Sequence, residues 1–172
     1  EKLAAALSPS GGENAARGIM TTDTVPKRHT TTFTVNGKTC RLTGIAKGSG
    51  MIQPNMATML AFLLTDAAVD RRALQRALKA AVDKSFNRIS VDADQSTNDT
   101  ALMLANGRAD NTPLRPGHPD WPVFATALEG ITFRLAMDMV RDGEGAQKLV
   151  TVHVRGARSA ADAEAAARSV AN

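Results

Sequence analysis

The chain has 172 residues, of which 43% are hydrophobic and 22% are charged, and this composition is typical of one globular domain with its own core. Its single cysteine, Cys40, excludes an internal disulfide and a four-cysteine metal site, which favours the reducing cytoplasm as its location. The net charge is only +4, there is no Tyr, and no apolar run reaches the roughly 18 residues that cross a bilayer. We therefore expect neither a nucleic acid nor a membrane as a partner.

The first part of the chain predicts short helices followed by a β-hairpin. The helical stretches EKLAAAL and ENAAR are separated by the turn residues SPSGG, and GIMTTDT predicts a strand. The segment TTTFTVNGKTCRLT predicts a hairpin, because Asn36 and Gly37 are the residue types of a type I′ turn. That turn sets a register in which Phe33 pairs with Cys40, Thr31 with Leu42 and Val35 with Lys38.

The middle of the chain predicts apolar strands around one helix. After the loop AKGSGMIQPN, the continuously apolar TMLAFLL predicts a buried strand. Asp70 is the expected N-cap of a helix that continues to about Lys84. A strand near RISVDA and a second apolar strand, ALMLA, follow, with the polar segment DQSTNDT between them. The inward face of the helix is predicted to contain Leu74, Ala77, Leu78, Ala81 and Val82.

The last third predicts a long helix, a strand and a final helix. Asp120 is expected to cap the long helix, which ends at the glycines of RDGEGAQ, and KLVTVHV alternates as a strand does. Ser159 and Asp162 have the spacing of a capping box at the start of the final helix. Strands mixed with helices in this order predict one α+β unit in layers. The apolar stripe of the long helix comprises Phe124, Leu128, Ile131, Leu135 and Met139.

Most familiar catalytic motifs are missing from the sequence. His29, His118 and His153 have no metal-ligand spacing, and we expect no metal site. The acidic segment DADQSTND lacks the central Gly and the closing Glu of a calcium loop, so a turn held by side-chain hydrogen bonds is the better interpretation.

Thr58 stands between the glycine-rich loop and the apolar strand. A threonine hydroxyl becomes a useful nucleophile when a base removes its proton, and the residue's own α-amine can be that base once it is a chain terminus. The pKa of such an amine is about 7.7 to 8.0 in model peptides, close to the pH at which a base is effective. Thr58 is therefore a candidate nucleophile.

Four motifs occur in the chain over residues 18 to 150: GIMTTDTVPK, KGSGMIQPNMATMLAFLLTDA, SFNRISVDADQSTNDT and RDGEGAQKLV. In sequence and in order they resemble the ornithine acetyltransferase family, also called glutamate N-acetyltransferase. The resemblance implies an α+β fold in which helices and a mixed sheet form a layered sandwich. It also implies a fragment of a longer chain, as do the first residue, Glu1, and the end at Asn172 within a predicted helix.

The resemblance implies that the precursor cuts itself between Ala57 and Thr58. Residues 1–57 would then be the end of an α-chain region and residues 58–172 the start of a β-chain region, together forming one incomplete catalytic domain. The two chains are expected to assemble as a heterotetramer of two α and two β chains. The glycines of the KGSG loop and Pro54 are expected to hold the cleaved peptide in a reactive shape.

The same resemblance implies a reaction of arginine biosynthesis. Thr58 would accept the acetyl group of N-acetylornithine and pass it to glutamate, without a resident cofactor, although some members also accept acetyl-CoA as the donor. The substrate contacts of the family fall on Thr21, Lys47, Thr58 and Glu144. Lys47 is expected to pair with a substrate carboxylate and Glu144 with the ammonium of ornithine. A shift of one residue in the motif would exchange Thr21 for its neighbour Thr22.

Two other interpretations remain open at the level of sequence. One is a self-processing aminopeptidase or amidase, in which water replaces glutamate as the acceptor. The other is a catalytically silent structural domain. The opposite charges of Lys47 and Glu144 favour an amino-acid substrate, and an unprocessed chain would favour the silent domain.

Overall fold

The computed structural model describes residues 5, 8, 10–52, 59–93 and 98–172. A four-stranded mixed sheet forms one layer of the fold, and helices form the other. The predicted α+β class is therefore confirmed. In chain order the elements are helix α1 (Gly12–Gly18), strands β1 (Lys27–Val35), β2 (Lys38–Lys47) and β3 (Leu60–Thr65), helix α2 (Arg71–Lys84), a 3-10 turn (Phe86–Arg88), strand β4 (Thr100–Ala105), and helices α3 (Trp121–Arg141) and α4 (Ala160–Ala171).

The hairpin β1–β2 forms in the predicted register. Asn36 and Gly37 have φ angles of 49° and 74°, the left-handed conformations that a type I′ turn requires. Phe33 pairs with Cys40, and the two other predicted pairs are also present. Both strands extend further than predicted, and β2 ends only at Lys47.

The strands β3 and β4 complete the sheet in the order β1-β2-β3-β4. β3 is antiparallel to β2 and parallel to β4, with α2 in the connection between them. β3, which was predicted to be a buried strand, is fully buried on one face only. Ala61 and Leu63 are fully buried, whereas Leu64 is 48% exposed, because the described helices cover only one face of the sheet.

The core lies between that face of the sheet and helices α2 and α3. The predicted stripe of α3 is buried throughout, and the side chain of Asp70 caps α2 by accepting a hydrogen bond from Ala73 N. Gly44 of β2 gives α3 room to approach, since a Cβ there would lie 2.8 Å from Leu135 Cδ1. Among the described residues, no helix is long and apolar enough to cross a membrane.

Three predicted strands are wrong, and they share a physical reason. In the first, residue 18 ends α1 and residues 19–24 form a turn and bends; in the second, residue 88 belongs to the 3-10 turn and residues 91–93 are bends. Residues 148–154 have no strand partner in the described part of the chain. Alternation favours an extended backbone, but a strand also needs a neighbour that accepts and donates its hydrogen bonds.

Two further helix caps were predicted from the sequence, and their outcomes differ. Ser159 Oγ accepts from Asp162 N at 3.1 Å, which confirms the cap of α4. Asp120 stands at the N-cap position of α3, but its carboxylate instead accepts a hydrogen bond from Asn36 N in the β1–β2 turn, at 2.9 Å. This bond ties the hairpin turn to the start of α3.

Candidate active site

The predicted cleavage site, Ala57 and Thr58, lies outside the described residues, as does Pro54. Ile52 is the last described residue before the cleavage site, and Met59 is the first one after it. Thr21, Lys47 and Glu144 are described, and they can be located relative to the two ends of this gap.

Lys47 is the last residue of β2, and it lies opposite Leu60, the first residue of β3. Lys47 is only 5% exposed, and its ammonium donates a hydrogen bond to Thr21 Oγ1 at 3.3 Å. Within the described ranges, no carboxylate forms an ion pair with this ammonium. Its hydrogen-bond partner Thr21 is neutral, and the carboxylate of Asp99 lies only within range of its charge. Such an ammonium is a suitable binding site for an anionic group, because a buried charge without a direct counter-ion is unfavourable.

Glu144 follows the end of α3 and lies against the loop that follows Lys47. Its backbone N–H donates to Ser49 O at 2.7 Å. Its carboxylate rests on Gly50, where an added Cβ would come within 2.8 Å of Oε1. A side chain at position 50 would therefore displace the carboxylate, and the glycine leaves it room beside the loop.

The neighbouring threonines Thr21 and Thr22 both face this loop but contact different residues. Thr21 accepts from Lys47, whereas Thr22 Oγ1 lies 2.7 Å from Ser49 Oγ. Ser49 is almost fully buried, so this second contact ties the loop to the segment of Thr22 in the interior. Thr21 is thus the threonine adjacent to the buried ammonium.

A buried ion network adjoins these residues, and it was not predicted from the sequence. Lys27 Nζ lies 2.6 Å from Asp23 Oδ1 and 2.5 Å from Asp142 Oδ2. Asp23 also accepts from Gly48 N at 2.7 Å, and Asp142 accepts from the backbone N–H and the hydroxyl of Thr24. The network joins the segment of Thr21, the end of β2 and the end of α3.

The hydrogen bonds of this network lower the pKa of both carboxyl groups. Burial raises the pKa of Asp23, but the Gly48 N–H and the Lys27 ammonium lower it by more, so the pKa lies below its ordinary value. Burial likewise raises the pKa of Asp142, and Lys27 and Thr24 more than offset it. A carboxyl whose pKa is lowered on folding stabilises the fold at pH values above its pKa in the unfolded chain, which is about 3.9. That stability is lost as the pH falls through the folded-state pKa.

Carboxylates from the segment 92–99 bind the backbone on both sides of the gap. Asp92 accepts from the N–H groups of Met51 and Ile52, and Asp99 Oδ1 accepts from Met59 N at 2.7 Å. Both carboxylates thus bind a distant segment of the chain. That side-chain hydrogen bonds hold the turn itself stays a prediction, since residues 94–97 lie outside the described part of the chain. The described residues contain no group of three His, Cys, Asp or Glu side chains placed to hold a metal ion.

These observations define an α+β protein with a charged cluster where β2 ends and β3 begins. The chain belongs to the ArgJ family, whose model matches residues 1–172. It is 54% identical over 167 residues to the arginine biosynthesis bifunctional protein ArgJ of Symbiobacterium thermophilum, covering 97% of this chain and 42% of that protein. The protein of the same name from Bacillus subtilis is 49% identical over 163 residues, 95% of this chain and 40% of the relative.

A solved structure of the family is also similar. The crystal structure of the arginine biosynthesis bifunctional protein argJ from Bacillus halodurans has 49% sequence identity and a TM-score of 0.47. The match covers 48% of this chain and 39% of that chain. The chain spans less than half the length of the curated relatives it matches, 42% and 40% of the two proteins named above.

Proposed function

We propose that this chain is part of an acetyltransferase of arginine biosynthesis that moves the acetyl group of N-acetylornithine to glutamate. Membership of the ArgJ family and the names of its relatives support the pathway. The observation that carries the proposal is Lys47, a buried ammonium that forms no ion pair with a described carboxylate and lies opposite the start of β3. Leu60, its partner in the sheet, follows Thr58 by two residues.

The charges at this site suit a substrate with a charged group at each end. Lys47 binds the α-carboxylate that N-acetylornithine and glutamate share, with Thr21 as a neutral partner beside it. Glu144 binds the side-chain ammonium of ornithine, a group that glutamate lacks. Charge-assisted hydrogen bonds of this kind are stronger than neutral ones, so they orient the substrate as well as hold it.

Thr58 is the proposed nucleophile in both self-cleavage and acetyl transfer. Its hydroxyl attacks the Ala57 carbonyl, the acyl group moves from nitrogen to oxygen, and water hydrolyses the ester to leave Thr58 with a free amine. The amine then takes the proton of the hydroxyl as it attacks the acetyl group, and ornithine leaves. Glutamate attacks the acetyl ester and leaves as N-acetylglutamate.

The proposed protein consists of two kinds of mature chain. Residues 1–57 end one mature chain and residues 58–172 begin the next, and two copies of each form a cytoplasmic heterotetramer. The exchange requires no resident cofactor, and acetyl-CoA is an alternative acetyl donor.

Mass spectrometry of the full-length protein tests the cleavage. We expect two fragments that separate between Ala57 and Thr58, no fragments for Thr58→Ala, and fragments again for Thr58→Ser, which keeps a hydroxyl. An uncut wild-type protein that still transfers acetyl would contradict the role of the Thr58 amine. Release of free acetate without transfer to glutamate would favour the amidase interpretation.

Lys47→Met and Glu144→Gln test the substrate contacts in half-reactions. Each should lower kcat/KM for N-acetylornithine by about 10- to 100-fold, because a hydrogen bond to a charged group is lost. With N-acetylglutamate as the donor, only Lys47→Met should be impaired, because that substrate has no ammonium for Glu144.

Lys79→Met is the matched control for these variants, since Lys79 is an exposed lysine of α2 paired with Asp83. It should leave both half-reactions unchanged. Equal losses for Glu144→Gln with the two donors would contradict the assigned contact.

A further inference from the structure

We propose that Asp99 is a positioning residue for the reaction, because its carboxylate holds the peptide N–H directly after Thr58. The inference rests on the proposed role of Thr58 as the nucleophile. It assigns to Asp99 no contact with substrate and no proton transfer.

Both hydrogen-bonding groups of the Met59 backbone are held by two consecutive residues. Met59 N donates to Asp99 Oδ1 at 2.7 Å, and Met59 O accepts from Thr100 N at 2.9 Å. The Met59 side chain packs in the core with 8% of the residue exposed. The backbone of Met59, the residue that follows Thr58 in the sequence, is therefore held on both sides by hydrogen bonds and by packing.

The Asp99 contact lies where regular strand pairing begins. The parallel pairing of β3 with β4 starts at Leu60 and Thr100, so the Met59 N–H lies one residue before it. A carboxylate that accepts from a backbone N–H forms a shorter and stronger bond than a neutral acceptor does. Asp99 thus extends the rigid sheet by one residue towards Thr58, and a small displacement of a reacting group can cost a large factor in rate.

Asp99 also lies close enough to Lys47 for their charges to interact. Burial raises the pKa of the Asp99 carboxyl, and the Met59 N–H and the Lys47 charge offset this only in part. Asp99 is therefore close both to Met59, which follows the nucleophile, and to Lys47, the proposed carboxylate site.

Asp99→Ala in the full-length protein tests the inference. We expect the rate of self-cleavage and kcat for acetyl transfer to fall by about tenfold or more, as for loss of a hydrogen bond to a charged group. KM for both substrates should change little, because Lys47 and Glu144 remain. Asp99→Asn keeps an oxygen acceptor for the Met59 N–H and should recover most of the lost rate.

Asp66→Ala is the matched control. Asp66 accepts from Arg41 N at 2.6 Å, so it forms the same kind of bond at the other end of β3. If the role of Asp99 were merely structural, Asp66→Ala and Asp99→Ala would lower kcat by similar factors when they destabilise the protein equally. That result, or wild-type rates for Asp99→Ala, would overturn the inference.

The proposed function and this inference fail in different ways. Cleavage of Thr58→Ala, or no cleavage of the wild type, would contradict the nucleophile itself. Normal cleavage of the wild type together with normal cleavage of Asp99→Ala would overturn only the role of Asp99. If the alanine variant does not fold, Asp99→Val keeps more of the side-chain volume and has no acceptor for the Met59 N–H, so wild-type rates for it would be equally decisive.

Discussion

Lys27→Met should lower the free energy of unfolding by about 3 to 5 kcal/mol, because it leaves two buried carboxylates without their cation. The Lys27 side chain is fully buried, and those of Asp23 and Asp142 are 0% and 5% exposed. Urea denaturation of the full-length protein at neutral pH measures the change. The loss should shrink at acidic pH, since protonation of the two carboxyls removes their charge.

Lys84→Met is the control for this prediction. Lys84 forms an ion pair with Glu129 at 2.6 Å, but both side chains are largely exposed, at 60% and 42%. Exposed pairs contribute about 0 to 1 kcal/mol, so this variant should be nearly neutral. Equal effects of the two substitutions would show that the network of Lys27 is not electrostatically important.

The triple variant Asp23→Asn, Lys27→Met, Asp142→Asn separates charge from packing. Removing all three charges together should restore part of the stability lost in Lys27→Met, because no unpaired buried charge remains. A triple variant that is less stable by the sum of the single changes would contradict the electrostatic explanation.

Leu135→Ala should lower the free energy of unfolding by about 2 to 5 kcal/mol, since it opens a cavity in a close-packed core. Leu135 is fully buried on α3, directly above Gly44 of β2. Gly44→Ala alone should also destabilise the protein, by about 1 to 3 kcal/mol, because its Cβ would overlap Leu135 Cδ1.

The double variant Gly44→Ala, Leu135→Ala gives the sharper test of this contact. The added methyl would occupy part of the space that Leu135 vacates, so the two losses should sum to less than their separate values. Urea denaturation of the four proteins in the cycle measures the coupling. Strict additivity would mean that the close approach of β2 and α3 does not depend on this pair.

Local chemistry explains why the hairpin and the long helices could be predicted. Asn36 and Gly37 adopt the conformation of their turn through backbone preference alone, and this determines the register of β1 and β2. The apolar spacing from Phe124 to Met139 likewise required a helix with one buried face, and α3 has it. These features depend on residues that are close together in the sequence.

Only part of the candidate site could be predicted from the sequence. Resemblance to the family named Thr21, Lys47 and Glu144, and the fold brings Lys47 to Thr21. The network of Lys27 was missed because Asp142 is 115 residues away from it. The only available signal was that Asp23, Lys27 and Asp142 all lie within the motifs that resemble the family.

The sequence by itself determined the α+β class, the hairpin register, the caps of α2 and α4, and the family. The tertiary structure alone decided which extended segments became strands, because the hydrogen bonds of a strand require a neighbour that is distant in sequence. It likewise decided which charges meet in the interior. A buried ion network and a carboxylate on the Met59 N–H depend on distances in space, and spacing along the chain does not encode them.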